Sequence, residues 1–415
     1  MTTSTTLSLS PTQERWVLLT LAGVQFSHIL DFMVLMPLGP QLTALFQISD
    51  AQFGLLVSAY TVSAGISGLL ASAYLDRLDR KHLLLGLYAL FTLATLACAF
   101  APSYVWLMGA RVAAGVFGGV LTALTHTIVG DVIPIERRGA AMGLVMASFS
   151  VATVAGVPLG LALAAQWGWH APFLMLALMC TLLWVIALLS LPSINAHLGA
   201  SGRGTIWREI YETASHRNHL WAYLLSAVNI FGGFMVIPYI TIYMRFNVGL
   251  TPEEIPYLYL AGGVCTLITA RWIGTLADRY GKPKVYQALA LMTIAPLLVL
   301  THMPAVSLWV AVPVNAVLFV VFSGRMIPLM AMLTATAHPS RRGTFMALNS
   351  AVQSLAMGLA AFLGGLLISR NAQDQVVGFG LNGWLSVLAL LASLWLVNRI
   401  IMHHNLPSAP PPHKI

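Results

Sequence analysis

The chain has 415 residues, of which 8% are charged and 58% hydrophobic, with a net charge of +8. Soluble domains carry about 25% charge, so this composition excludes an ordinary soluble protein. A helix needs about 20 mostly apolar residues to cross a bilayer. Twelve stretches meet that need, at 16–43, 52–75, 82–101, 104–130, 140–166, 170–191, 219–245, 253–276, 284–302, 306–333, 343–368 and 378–402. The predicted fold class is an all-α membrane protein with twelve transmembrane helices, numbered spans 1 to 12.

Residues 1–15 are Ser/Thr-rich and lack a basic segment and a small-residue cleavage site, so they read as a disordered cytoplasmic tail rather than a signal peptide. Residues 16–191 form a first six-helix bundle. Residues 192–218 are the longest polar interruption and form a central cytoplasmic loop. Within it, Trp207–Glu212 is a short amphipathic stretch suited to the membrane interface. Residues 219–402 form the second bundle, and 403–415, with three consecutive prolines, an extended tail. The other loops are too short for a folded soluble domain.

Most basic residues, among them Arg77, Arg80, Lys81, Arg137, Arg138, Arg279, Lys282, Lys284, Arg341 and Arg342, fall in loops on the side of both termini. Arg245 and Arg370 fall on the other side, beside Asp50, Glu253, Glu254 and Asp374. This is the positive-inside pattern, which places both termini in the cytoplasm. The positive balance therefore reports membrane insertion, and no nucleic-acid partner is expected.

Span 1 contains Asp31, the one acid of the 13 that lies well inside a predicted span. A carboxylate at mid-membrane costs about 2.5–3.5 kcal/mol to insert. It is therefore expected either to carry protons or to pair with a buried arginine or helix backbone. His28, three residues earlier, shares its helix face. That imidazole either shares a proton with Asp31 or simply helps satisfy it by a hydrogen bond.

Between spans 2 and 3 runs a charged hairpin, Leu75-Asp76-Arg77-Leu78-Asp79-Arg80-Lys81. Its Asp76 can accept hydrogen bonds from loop arginines, and Asp79 stands at a turn position where Asp tolerates left-handed geometry. Span 4 carries Arg111, about 10 Å inside the outer end, followed by Gly115 and Gly119. Their four-residue spacing lets a neighbouring helix approach closely. Cys98, Cys180 and Cys265 lie within spans at no metal-type spacing and read as small packing residues.

The second half repeats the first. Gly274-Thr275-Leu276-Ala277-Asp278-Arg279-Tyr280-Gly281-Lys282-Pro283-Lys284 is a second copy of the hairpin, displaced by 202 (278 − 76). Its Gly281 supplies positive φ for the turn. Phe32-Met33-Val34-Leu35-Met36-Pro37 recurs at the same displacement as Phe234-Met235-Val236-Ile237-Pro238, and Arg137-Arg138-Gly139 recurs as Arg341-Arg342-Gly343. The chain is a tandem repeat of two six-helix bundles in one orientation. The counterparts of Asp31 and His28 are Gly233 and Ile230, so this polar pair belongs to the first half alone. Span 10 holds Arg325, which either offers an anion or hydrogen-bond site to substrate or pairs with backbone carbonyls at a helix break around Pro328. Gln25, His126, Asn229, Tyr239, Tyr243, Asn315 and Gln353 are candidate cavity-lining residues. Each is equally readable as a hydrogen-bonded packing residue.

These residues resemble the major facilitator superfamily over essentially the whole chain. The second hairpin fits the family's G-x-L-a-D-R-x-G-x-x-K signature, and Arg111-x-x-x-Gly115-x-x-x-Gly119 resembles a second signature. In span 5, Gly156-Val157-Pro158-Leu159-Gly160 resembles the Gly-Pro motif of the drug:proton antiporter branch, as does Gly168-Trp169 with Phe173. His170 stands where that branch has Arg, and Ser72 and Asp79 where the family prefers Gly.

The resemblance implies two pseudo-symmetric bundles with spans 1, 4, 7 and 10 around a central cavity. Arg111 is then expected either to meet Asp31, directly or through water, or to snorkel outward. It also implies that Asp76, Arg80 and Asp131 form a charge cluster closing the cytoplasmic side, with Asp278, Arg279 and Gly281 as the matching turn; a solvated, topology-setting loop is the alternative.

The function expected is proton-coupled antiport, exporting a small organic molecule of drug or sugar-like type. Asp31, His28 and Arg111 would handle the proton. Arg325, Gln25, Asn229, Tyr239 and Asn315 would hold the substrate. Proton symport or facilitated uptake is the alternative. A receptor or lipid-modifying enzyme is remote, because soluble loops and catalytic sets are missing. With no Walker sequence and no zinc-type arrangement, no cofactor is expected beyond the proton gradient. The protein is expected to work as a monomer in the bacterial inner membrane.

Overall fold

The computed structural model describes residues 10–71, 79–133, 137–193, 206–337 and 342–402. Twelve of its helices are long and apolar enough to cross a membrane. Spans 1–6 are Thr12–Phe46, Asp50–Ala71, Arg80–Ala99, Tyr104–Val132, Ala141–Trp167 and His170–Ser190. Spans 7–12 are Arg217–Val248, Ile255–Tyr280, Lys282–Thr301, Leu308–Thr336, Gly343–Leu366 and Phe379–Val397. An even number of crossings returns the chain to its starting side, here the terminal face. Asn218, at the start of span 7, binds the carbonyl and amide of Ile401 there, at 2.8 and 2.9 Å.

Local chemistry sets the helix ends. Ser10 and Gln13 form a reciprocal capping box on span 1. Asp79 caps span 3 by accepting from the His82 amide, and Ser103 caps span 4 in the same way. The φ of Asp79 is −59°, so the left-handed turn expected there does not form; its carboxylate serves the helix start instead. Gly281, at φ +94°, makes the turn between spans 8 and 9 as expected.

The duplicated Phe-Met-Val motif has a structural counterpart. Proline lacks an N–H to donate, and in both halves the helix tightens into a 3₁₀ turn at the proline, Met36–Leu38 and Ile237–Tyr239. These two turns touch each other, and the paired phenylalanines, Phe32 and Phe234, stack across the halves at 6.1 Å. In span 5 the Gly-Val-Pro motif follows a widened π turn at Ala152–Gly156. Gly156 and Gly160 let span 5 lie on Leu30 and Val34 of span 1, where an added Cβ would come within 2.8 and 2.7 Å.

The halves meet mainly through span 2 against span 11, and through the outer part of span 5 against span 8. Small residues make the first seam: Gly358 lies on Thr61 and Val62, and Gly65 on Ser354 and Ala351. One apolar core runs through both halves near the face opposite the termini, here the far face. It includes Leu38, Leu42, Phe53, Tyr239, Ile242 and Phe379. Toward the terminal face the cores separate. Val17, Leu84 and Leu121 belong to one confined to the first half, while the shared core continues down the second half through Tyr286, Leu333, Phe345 and Leu396, beside a small satellite of Ile273, Leu289 and Val321.

Candidate functional site

Asp31 and Arg111 are both fully buried, and they touch. Nη1 of Arg111 donates to Oδ2 of Asp31 at 2.7 Å, while Thr95 of span 3 donates to Oδ1 at 3.3 Å. The guanidinium also lies over the Tyr60 ring of span 2, 4.5 Å from its centroid. Spans 1, 2, 3 and 4 thus each contribute one side chain. The glycines of span 4 make this approach possible. A Cβ at Gly115 would strike the Tyr60 backbone, and one at Gly119 the Ala64 backbone. Nε and Nη2 of Arg111 have no hydrogen-bond partner among the described residues, so one carboxylate carries most of the compensation for a buried cation.

His28 does not join the carboxylate. Its Nε2 lies 3.1 Å from Thr122 Oγ1 on span 4, and its carbonyl accepts from the Tyr60 hydroxyl at 3.2 Å. Three-residue spacing puts His28 and Asp31 on one broad face, but the side chains turn to different turns of span 4 and pair with Thr122 and Arg111 respectively. Among the described residues, the buried Nε2 of His126, one turn past Thr122, and the buried Oε1 of Gln25 have no hydrogen-bond partner. A polar column therefore follows the contact of spans 1 and 4.

In the second half Arg325 is 1% exposed. Its Nη2 donates to the Asn229 carbonyl of span 7 at 3.3 Å, and it lies 4.5 Å over the Phe322 ring. Span 10 runs unbroken past Pro328, so the carbonyl comes from a neighbouring helix and not from a break in its own. Asn229 also accepts from Tyr286 at 3.1 Å and contacts the Met326 sulfur at 3.0 Å.

The remaining candidates are not gathered here. Tyr239 donates to the Ala361 carbonyl near the far face. Asn315 donates to the Leu258 carbonyl at 3.1 Å, Tyr243 to the Met303 carbonyl at 3.0 Å, and Gln353 to Ser226 at 2.7 Å. The bonds of Tyr239, Asn315 and Gln353 each tie two helices together, and that of Tyr243 ties span 7 to the connection after span 9.

At the terminal face Nε of Arg80 pairs with Asp131 at 3.1 Å, with Arg80 almost wholly buried. Asp76 lies outside the described residues. Burial pushes the Asp79 carboxyl up, but hydrogen bonds from Ser193 and from the His82 amide and ring outweigh this and hold it below the usual carboxylate range. Asp278 is exposed and has no hydrogen bond or ion pair among the described residues, and Arg279 stacks on Tyr280 at 5.3 Å.

Three features escaped the sequence reading. Tyr60 and Thr95 carry no signal beyond being polar in a span. Arg271 did carry one, as a lone cation inside span 8, and it is exposed. At the far face Arg370 joins Asp50 through Nε and Nη2, both at 3.2 Å, and Asp374 through Nη1 at 3.0 Å. It also lies 3.9 Å over Phe246.

The sequence model of the Major Facilitator Superfamily matches residues 21–228 and again residues 222–414. The uncharacterized MFS-type transporter YbcL of Bacillus subtilis (strain 168) is 22% identical over 388 residues, 92% of this chain and 96% of that protein. The inner membrane transport protein YdhP of Escherichia coli (strain K12) is 28% identical over 233 residues, 56% of this chain and 58% of that one. Among solved structures, a bacterial homologue of the human lysosomal transporter Spinster, inward-facing and unoccupied, matches with a TM-score of 0.76 at 17% identity, covering 94% of this chain and 98% of that one. The D-xylose-proton symporter matches with a TM-score of 0.74 at 16% identity, covering 92% and 97%. At these identities the structural likeness establishes the fold.

Proposed function

Because the chain belongs to the major facilitator superfamily, and is thus a multi-pass membrane transporter of small molecules rather than an enzyme, we propose that it is a proton-coupled antiporter exporting a small organic molecule. The observation that carries this reading is the Asp31–Arg111 pair, 2.7 Å apart and sealed from water. Protonating Asp31 removes the charge that Arg111 needs, so a proton on the carboxylate and a relaxed guanidinium go together. A rearrangement that separates the two helices favours proton uptake, and their closure favours release. One pH unit supplies about 1.36 kcal/mol per proton, and 100 mV about 2.3 kcal/mol per charge, which is enough for useful concentrative work from one carboxylate.

In this reading His28 and His126 line the route between Asp31 and the terminal face. Arg80 and Asp131 close that face in one state, with Gly281 making the corresponding turn of the second half. The terminal face is cytoplasmic, the membrane is the bacterial inner membrane, the protein acts as a monomer, and no cofactor takes part. Export is favoured over uptake by the Gly156–Gly160 motif alone.

Everted vesicles test the proposal. An acid interior should drive substrate accumulation, and Asp31→Asn should abolish that drive while leaving any downhill exchange. Accumulation that ignores the imposed gradient, or that persists in Asp31→Asn, would sink the coupling.

A further inference from the structure

Each half buries a guanidinium within the membrane, and only one receives a counter-charge. Arg111 has Asp31 at 2.7 Å. Arg325 is buried to the same degree but among the described residues meets only neutral groups, the Asn229 carbonyl and the Phe322 ring. Its Nε and Nη1 find no acceptor among the described residues. Sequence explains why no carboxylate arrives from its own half. The acids there are Glu253, Glu254, Asp278 and Asp374, all at helix ends or in loops. With a rise of about 1.5 Å per residue, Arg325 lies about 16 Å from the terminal-face end of span 10, whereas Asp278 lies only about 3 Å from the end of span 8.

A second cation sits at that depth. Arg271 lies about 14 Å from the terminal-face end of span 8 by the same rise, and it is exposed. The two helices meet at this level, since Gly324 packs on Ile273. The face of span 8 that packs there carries Ile273 and not Arg271, so the interior of the second half holds one buried cation, Arg325, with no acid at its depth among the described residues.

We infer that Arg325 is the seat of an anionic group on the transported molecule, a carboxylate or a monoanion of similar size, held between spans 7, 9 and 10. An unpaired buried charge is costly, and the guanidinium offers the planar donor pair that a carboxylate accepts. Phe322, Tyr286 and Met326 give the ligand's body an aromatic and thioether wall. A cationic molecule would meet like charge here, and a neutral one would leave the guanidinium unpaired. The inference rests on the chain being a transporter, not on its coupling to protons or its direction.

The test uses the purified full-length protein in detergent at fixed ionic strength, titrated with benzoate and, separately, with benzamide, its neutral near-isostere. Benzoate should raise the unfolding temperature saturably and benzamide should not. Arg325→Gln should weaken the benzoate response at least about tenfold, the worth of roughly 1.4 kcal/mol. Arg325→Lys, which keeps the charge but loses the fork, should fall between. The titration is run without any proton gradient, so that failed proton coupling in vesicles and a failed anion site give separate results. Equal responses to benzoate and benzamide in the wild type would overturn the assignment. So would an undiminished benzoate response in Arg325→Gln or, if that variant does not fold, in Arg325→Lys.

Discussion

Arg370 of the second half lays its guanidinium on both carboxylate oxygens of Asp50 in the first half, at 3.2 Å each. The two residues stand 320 positions apart and close the far face between the bundles. The arginine is held in place on its own side. Asn247 grips both the amide and the carbonyl of Val376, and so anchors the two-stranded hairpin in which Arg370 sits.

Breaking this tie should favour opening of the far face. For Asp50→Asn or Arg370→Gln the loss is about 2 kcal/mol, allowing for the partial exposure of Arg370, or roughly a thirtyfold population shift. Spin labels on cysteines at Gln52 and Gln375, in a background lacking the three native cysteines, should report a longer distance in either variant. The exchanged pair, Asp50→Arg with Arg370→Asp, should restore the short one. An unchanged distance distribution in both single variants would show that the tie holds nothing shut.

The Asp31–Arg111 pair should behave as one unit in stability. Asp31→Asn or Arg111→Gln alone leaves a buried partner uncompensated and should cost about 3–5 kcal/mol. The double variant should cost clearly less than the sum of the two, with a coupling of about 1–3 kcal/mol. Denaturation of the four proteins in the same detergent measures this, and additive losses would mean that the two side chains do not depend on each other.

Gly115 and Gly143 offer a contrast within the first half. Gly115→Ala drives a methyl into the Tyr60 backbone and should destabilise by about 1–3 kcal/mol. Gly143, helical and with nothing within 4 Å of an added Cβ, should gain about 0.4–1 kcal/mol on the same change. Thermal unfolding of both variants checks the sign of each.

The two hairpins should not be equivalent in transport. Asp131→Asn removes the partner of a buried arginine, whereas Asp278→Asn alters an exposed carboxylate with no partner among the described residues. Asp131→Asn should slow substrate flux about tenfold, the rate equivalent of a charged hydrogen bond worth about 1.4 kcal/mol. Asp278→Asn should leave flux within about twofold, as expected for an exposed group. Initial rates in proteoliposomes decide it; equal slowing by both would remove the asymmetry.

The architecture was legible because membrane burial writes itself as uninterrupted apolar runs and because the repeat keeps its register across 202 residues. The Phe-Met-Val-Pro copies foreshadowed paired 3₁₀ turns for a simple reason: a proline interrupts the helix in the same way wherever it falls. The depth of Arg111 and Asp31 put them near one another, and the length of an arginine side chain closed the gap without water. What periodicity does not encode is which way a side chain turns. His28 lies on the face of Asp31 yet bonds Thr122. Tyr60 and Thr95 look like filler until span 4 brings Arg111 against them. The tie between Asp50 and Arg370 joins the start of span 2 to the hairpin between spans 11 and 12, whose proximity is a property of the assembled halves alone.

The shared apolar core near the far face makes any opening there a matter of exchange. Each 100 Å² of that seam delivered to water would cost about 2.5 kcal/mol, so the halves cannot part there without covering a comparable area elsewhere. The separate cores toward the terminal face are the place where such cover can form. The resting orientation is then set by a small difference between two large contact areas. A single polar substitution in either seam, far from Asp31 or Arg325, can retune the transporter without touching the chemistry of its sites.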